Sequence, residues 1–250
     1  MSDDNSDSAR SGQRELARRL AGALHLGHPP IAISFLHAAP DGVGAFDEPM
    51  SEPAPDGRAG RVPAGCVFWV RAATRAFSTV PADHGNCSVG RFTHGLASLE
   101  DVAGNGDVAA LLESGWVTPE AVAGVPSVSE RAEVIAYGPL PEVDFPADVV
   151  LMRVNGRQMM VLSDAMPGLR IEGKPQCHIV AIAKEQGEVA ASVGCALSRA
   201  RTGMKPEEMT VAVPGARLAE VVEAVERTAA VDGMVAKYAA DDARRFAAGA

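Results

Sequence analysis

Hydrophobic and polar residues follow one another along the chain with two periods, one typical of helices and one typical of buried strands. Leu16, Leu20 and Leu24 recur at helical spacing and predict an amphipathic helix from about Arg14 to Leu24. A similar apolar face in ARLAEVVEAVERTAAV predicts a second long helix, which is followed by a final helix to Phe246. Short apolar runs rich in β-branched residues predict strands in IAISFL, RAFSTV, EVIAYGPL, ADVVLMRV, EVAASVGC and EMTVAVPG.

Residues that start and stop helices divide the rest of the chain. Asn86 and Asn155 are typical N-caps, each followed by a segment of helical character. Pro175 stands near the first turn of a predicted helix that stops at Gly187. Residues 38–62 are rich in Pro, Gly, Asp and Ala and lack periodicity, which predicts a long loop.

This mixed order of elements predicts the fold class and the domain organisation. We expect an α+β fold in which helices pack on a mixed sheet, with an α/β sheet as the alternative. Residues 1–13 are polar, acidic and small, so we expect a disordered tail followed by a single domain over 14–248. Further short helices are predicted from about Ala64 and between residues 107 and 131.

Composition narrows the class of partner. The chain carries a net charge of -9, which argues against nucleic acid because phosphate binding needs clustered Lys and Arg. The first residues lack the apolar segment of a secretory signal, and no run of about 18 apolar residues predicts a membrane span. We therefore expect a cytoplasmic protein whose partner is a small molecule or a redox protein, with self-association left open.

The four cysteines are the main candidates for chemistry. None forms a C-x-x-C pair, so their spacing matches neither a zinc ribbon nor a ferredoxin. Three of them nevertheless stand beside Gly or Asn at predicted element edges, namely Cys66, Cys87 and Cys195, and Pro175 is two positions before Cys177. A thiolate at a helix start is stabilised by unpaired amides, and such edges can converge at one end of a sheet.

Several segments together resemble the domain of unknown function family 169, also labelled ArCR. They are PPIAISFL, GCVFWVRAA, DHGNCSVGRFTHGL, YGPL, ADVVLMRVNGRQMMVL, GKPQCHIVAIA and ASVGCALSRARTGMKPEEMTVAVPG. The resemblance spans about residues 14–230, and all four cysteines fall on cysteine positions of the family. One departure is Cys87-Ser88-Val89-Gly90, where relatives often have C-P-G-G. The cysteine pattern implies a thiolate-bound metal or iron–sulfur cluster, with 4Fe–4S the type we expect, held by Cys66, Cys87, Cys177 and Cys195.

Histidines and arginines near the cysteines are secondary candidates. His84 and His94 flank Cys87, and imidazole titrates near neutrality, so either could be a ligand or an acid–base group. Arg199 and Arg201 closely follow Cys195, where a guanidinium lowers a thiol pKa or binds an anion. We take His84, Arg199 and Arg201 as the candidate catalytic residues, and His178 and Asp83 as weaker ones.

Three functions follow from these observations. The first is a cysteine-ligated iron–sulfur or metal protein with a redox or Lewis-acid role on a small molecule. The second is a non-catalytic small-ligand-binding or regulatory protein with structural cysteines. The third is a metal-free enzyme with a thiolate nucleophile, Cys87 or Cys195. The phosphate-loop, dinucleotide, serine-hydrolase and zincin motifs are absent from the sequence.

Overall fold

A seven-stranded sheet forms the centre of the computed structural model, which describes residues 3–47, 65–85, 87–173 and 175–248. The sheet order is β2-β3-β1-β4-β7-β6-β5, and every neighbouring pair is antiparallel except β5 with β6. The strands are β1 (Ile31–Leu36), β2 (Phe77–Thr79), β3 (Val134–Pro139), β4 (Val149–Val154), β5 (Arg170–Glu172), β6 (Ala190–Ser192) and β7 (Met209–Pro214).

Helices cover both faces of the sheet. They are α1 (Asp3–Leu24), α2 (Gly65–Arg71), α3 (Ser88–Thr93), α4 (Leu99–Ala103), α5 (Gly106–Glu113), α6 (Pro119–Ala123), α7 (Gly156–Ala165), α8 (His178–Ala181), α9 (Ala196–Thr202) and α10 (Leu218–Ala248). A π-helical turn, Ile182–Gln186, continues α8 and ends at Gly187, whose φ is +65°. The α+β fold class predicted from the sequence is confirmed.

Alternate residues of each central strand bury on opposite faces, which gives the protein two cores. On β4, Val150 and Met152 pack into the core formed with α1, α7 and α10. Val149 and Leu151 point the other way, into the core formed with α2 and α8. Two-sided burial explains why the central strands read as continuous apolar runs rather than as alternating ones.

Most of the predicted elements are present. The strands predicted from the sequence correspond to β1, β2, β3, β4, β6 and β7, and Asn155 caps α7 in a capping box with Gln158. The cap predicted at Asn86 lies outside the described residues, and so do residues 48–62 of the predicted loop.

Three features differ from the sequence predictions. α1 begins at Asp3 and so runs through most of the segment expected to be a disordered tail. That segment has no apolar stripe that would predict a helix. It can still be helical, because each residue added to an existing helix gains one hydrogen bond and only that residue loses conformational freedom. α10 continues unbroken through Gly233, where two helices were expected, and the edge strand β5 was missed because three residues show no alternation.

The turn after β7 offers a direct test of this packing. The Gly215 amide donates to the Asp148 carbonyl oxygen at 2.7 Å, and a Cβ at this position would overlap the Ala147 carbonyl oxygen. We expect Gly215→Ala to lower the free energy of unfolding by about 1–3 kcal/mol, because backbone atoms must move to admit the methyl group. Gly156→Ala, where nothing lies within 4 Å, is the control and should cost nothing. Equal denaturant midpoints for the two variants would contradict the packing described.

Candidate functional site

The four cysteines, which come from four separate segments, line one cavity of about 240 Å³. The cavity opens on the face of the sheet that carries α2 and α8. Burial and the charges of the neighbouring cysteines both raise the pKa of thiols in this cavity. Cys87 and Cys195 raise the pKa of Cys66, and the other three cysteines all raise that of Cys177. None of the four is in a disulfide. The four cysteines named from the sequence thus line the same cavity.

Each cysteine lies at the start of a helix, as its sequence neighbours indicated. Cys87 is the N-cap of α3, and its Sγ accepts a hydrogen bond from the Gly90 amide at 3.4 Å. Cys195 caps α9 in the same way and accepts from the Ser198 amide at 3.3 Å. Cys177 immediately precedes α8, and Cys66 is the second residue of α2. Amide donors of this kind stabilise sulfur that carries negative charge.

Burial keeps two of these thiols in the neutral form. It raises the pKa of Cys66 to about 11; the charge of Cys87 adds to this rise, whereas the nearby Ser198 hydroxyl and Arg201 oppose it. The pKa of Cys177 is raised well above its ordinary value, again chiefly by burial and then by Cys87. A nucleophilic cysteine needs the opposite shift. Bound cations would reverse this shift, because metal ligation requires the thiolate.

A tight turn brings the Cys195 segment against the Cys177 segment. Gly194 has a φ of +96°, and a Cβ there would lie 3.3 Å from Gln176 Oε1 and 3.1 Å from Arg199 Nε. Glycine is required here by both the backbone conformation and the close approach. Gln176, the neighbour of Cys177, is buried and donates from Nε2 to the Thr210 hydroxyl at 2.9 Å, while its Oε1 has no partner among the described residues.

The two candidate arginines have different surroundings. Arg199 donates to the backbone carbonyl oxygens of Val193, Lys205 and Glu208 at 2.6–2.8 Å, and so ties the loops on either side of α9 together. These contacts favour a structural role for Arg199 rather than the catalytic role expected. Arg201 lines the cavity and forms no hydrogen bond or ion pair with any described residue.

The opposite wall of the cavity is apolar and belongs to α4, α5, α6 and the loops around them. The sequence predicted short helices over 107–131, where α5 and α6 lie, but did not predict α4 and gave none of them a role. Their contribution comes from aliphatic and aromatic side chains, among them Leu99, Val102, Leu111, Trp116 and Val122. Leu99, Trp116 and Leu197 are also at least 36% exposed, so the cavity has an apolar rim.

His84 and His94 are buried behind Gly65 rather than on the cavity wall. The Thr79 hydroxyl donates to the Ile135 carbonyl oxygen, so it accepts from His84 Nε2–H at 2.9 Å, and Nδ1 keeps its lone pair. His94 Nδ1–H donates to the Gly90 carbonyl oxygen at 2.8 Å, which leaves the lone pair on Nε2.

Neither of these lone pairs has a partner among the described residues, although both nitrogens would lie within 4 Å of a Cβ on Gly65. The two histidines are therefore neutral acceptors directly behind the first turn of α2, next to Cys66. Their tautomers follow from the hydrogen bonds of Thr79 and Gly90, which the sequence did not indicate.

The weaker candidates, His178 and Asp83, have contacts typical of structural residues. His178 is buried, and its Nε2 lies 3.7 Å from a Glu172 carboxylate oxygen. The Asp83 carboxylate accepts from the Val80 amide at 2.8 Å and so caps the short 3-10 helix Pro81–His84. Neither residue lines the four-cysteine cavity.

A single metal ion does not fit the arrangement of the side chains. Across the described ranges, no group of three or more His, Cys, Asp or Glu residues converges tightly enough to hold one ion. A single ion needs all its sulfur ligands about 2.3 Å from one point. A cluster has several irons, each taking its own cysteine, so it accepts sulfurs that stand further apart.

The fold and the site define a class, an α+β protein in which four helix-start cysteines surround an apolar cavity. The chain belongs to family DUF169, described as uncharacterised ArCR, whose pattern matches residues 19–224. It is similar to an uncharacterized protein of Methanocaldococcus jannaschii, with 30% identity over 115 residues, 42% of this chain and 49% of that protein. This chain thus matches about half the length of that relative. No solved structure matches the chain. Within the described residues, no helix is long and apolar enough to cross a membrane.

The buried histidines predict how stability depends on pH. Burial lowers the pKa of His94 to about 4 and that of His84 well below 6.5, so the unfolded chain binds more protons than the folded one below pH 6.5. The free energy of unfolding should therefore fall between pH 7 and pH 5, by about 2 kcal/mol from His94 alone.

Urea unfolding of matched variants checks this dependence. His94→Gln should flatten the slope of stability against pH, whereas His37→Gln, at an exposed position, should leave it unchanged. A slope that is the same in His94→Gln as in the unaltered protein would contradict a buried neutral His94.

Proposed function

We propose that Cys66, Cys87, Cys177 and Cys195 bind one iron–sulfur cluster, of the 4Fe–4S type, and that this cluster serves a redox or Lewis-acid role on a small molecule in the adjoining cavity. The observation that carries the proposal is the meeting of all four cysteines at one cavity. The chain contains four cysteines in all, and each comes from a different helix start.

Packing alone does not account for this meeting. A cysteine that serves as a small core hydrophobe can lie anywhere in a core. Cys66 and Cys177 do pack against the core beneath α2 and α8, but all four cysteines also line the cavity, and each residue is only partly buried. Sulfurs that face the same space suit a shared ligand.

The surroundings of the sulfurs suit thiolates bound to iron. Backbone amides donate to Cys87 and Cys195, and hydrogen bonds to ligating sulfurs are one of the factors that set the potential of a cluster. Cys66 and Cys177 are neutral without a cation, so binding iron there would release protons. The cluster, when bound, would supply electron transfer if all four cysteines ligate, or a Lewis-acidic iron if three do.

One observation favours a second function, the binding of a small molecule without catalysis. Most of the cavity wall is aliphatic or aromatic, which is typical of a ligand pocket whatever the role of the cysteines. The metal-free thiol enzyme keeps Cys87 or Cys195 as its candidate nucleophile; burial raises the pKa of Cys66 and Cys177 and disfavours only those two in that role.

Anaerobic preparation of the full chain with iron and sulfide tests the proposal. We expect about four irons and four acid-labile sulfides per chain, as a cubane cluster requires, with broad visible absorption that bleaches on reduction. A colourless protein without iron, obtained after anaerobic reconstitution of a folded sample, would refute the proposal and leave ligand binding as the function.

Single substitutions identify the ligands. Each of Cys66→Ser, Cys87→Ser, Cys177→Ser and Cys195→Ser should lower iron content severalfold or make the cluster labile to air, because serine is a poor ligand for soft metal centres. Ser163→Ala, on the exposed side of α7, is the control for handling and should retain full iron. Circular dichroism of each variant shows that the fold is intact. Unchanged iron in any two of the cysteine variants would contradict a cluster bound by three or four of them.

A further inference from the structure

We infer that the four-cysteine cavity binds a small amphipathic carboxylic acid, whose apolar body lies against α4–α6 and whose carboxylate is bound by Arg201 and Ser198. This inference rests on the proposed function in one respect: it takes the same cavity to be where the small molecule binds. It adds the chemical class of that molecule.

The polar end of the cavity lies on α9. Ser198 and Arg201 are three positions apart on this helix and therefore share a face, and both line the cavity. The Ser198 hydroxyl is buried, with 2% of the residue exposed, and it has no oxygen or nitrogen acceptor among the described residues; it interacts with the sulfur of Cys66, whose pKa it lowers. Sulfur is a weak acceptor, so a carboxylate oxygen would be a better partner for this hydroxyl.

The charge of the cavity lining indicates which polar group the ligand carries. Arg201 is the one charged residue among the described residues that line the cavity, and it pairs with no described acid. Arg201 is an exposed residue, so its guanidinium can meet an anion at the open side of the cavity. One guanidinium and one hydroxyl donor match the two oxygens of a carboxylate, which needs fewer cationic contacts than a phosphate.

The size and polarity of the cavity indicate the apolar part of the ligand. An apolar cavity of about 150 Å³ holds a benzene molecule, so by proportion this one, without a cluster, holds roughly ten non-hydrogen atoms. Its wall beyond α9 is aliphatic and aromatic, with Phe92 and Trp116 among the side chains. Octanoate has the expected size, an apolar chain and a carboxylate, and it is the probe we choose.

Calorimetric titration of the anaerobically prepared full chain tests the inference, with iron content measured on every sample. We expect octanoate to bind at least tenfold more tightly than octanol or octylamine, since only the acid can pair with Arg201. Equal affinity for octanoate and octanol, or no binding of either, would overturn the inference. Binding of octanoate to a sample without iron would support the ligand class while the proposed cluster fails, so the two failures are distinguishable.

Substitutions separate the polar and apolar contributions. Arg201→Gln should weaken octanoate about tenfold and leave octanol unchanged. Val122→Phe should weaken both ligands by filling the apolar wall, and thermal unfolding shows whether this variant is folded. Arg18→Gln, an exposed position on α1, is the control and should change nothing.

The alternative role of Arg201 is to neutralise the sulfurs, since its charge also reaches Cys66. In that case Arg201→Gln would lower iron content or shift the cluster potential while the preference for octanoate over octanol persisted. That result would overturn the assignment of Arg201 to the ligand carboxylate.

Discussion

The central strands bury side chains on both faces, and the placement of everything else depends on this constraint. A strand covered on both sides cannot slip in register without moving apolar residues into water, so β1, β4 and β7 are fixed relative to one another. Helices α1, α7 and α10 cover one face. The other face is covered by shorter helices, and the starts of four of them carry the cysteines.

The site places ionisable groups where burial favours their neutral forms. The thiols of Cys66 and Cys177 are held protonated and the imidazoles of His84 and His94 are held neutral, each chiefly by burial. Two imidazole lone pairs lie without donors next to the Cys66 segment. The imidazole acceptors and the protonated thiols would both be stabilised if iron replaced the thiol protons, since iron is positively charged. In this account the electrostatics of the apoprotein and the proposed cluster are complementary.

Much of the fold could be predicted from local patterns, whereas the site could be predicted only as a list of residues. Strands such as β4 and the cap at Asn155 follow from apolar runs and capping chemistry that lie within a few positions of one another. The convergence of Cys66 with Cys177 depends on the sheet order, which local periodicity does not encode. The roles of Arg199 and Arg201 were also indistinguishable in the sequence, because the difference lies in which side of α9 faces carbonyl oxygens and which faces the cavity. Ser198 gave no signal, since an isolated serine is common on helices.

The central claim is that all four cysteines meet on one iron–sulfur cluster, and counting reactive thiols tests it most directly. Alkylation of the native, anaerobically prepared protein, followed by mass spectrometry, should leave Cys66, Cys87, Cys177 and Cys195 unmodified, and all four should react after iron is removed by a chelator. Two results would contradict the account. One is protection that is the same with and without iron; the other is full reaction of two of the cysteines while iron remains bound at full occupancy.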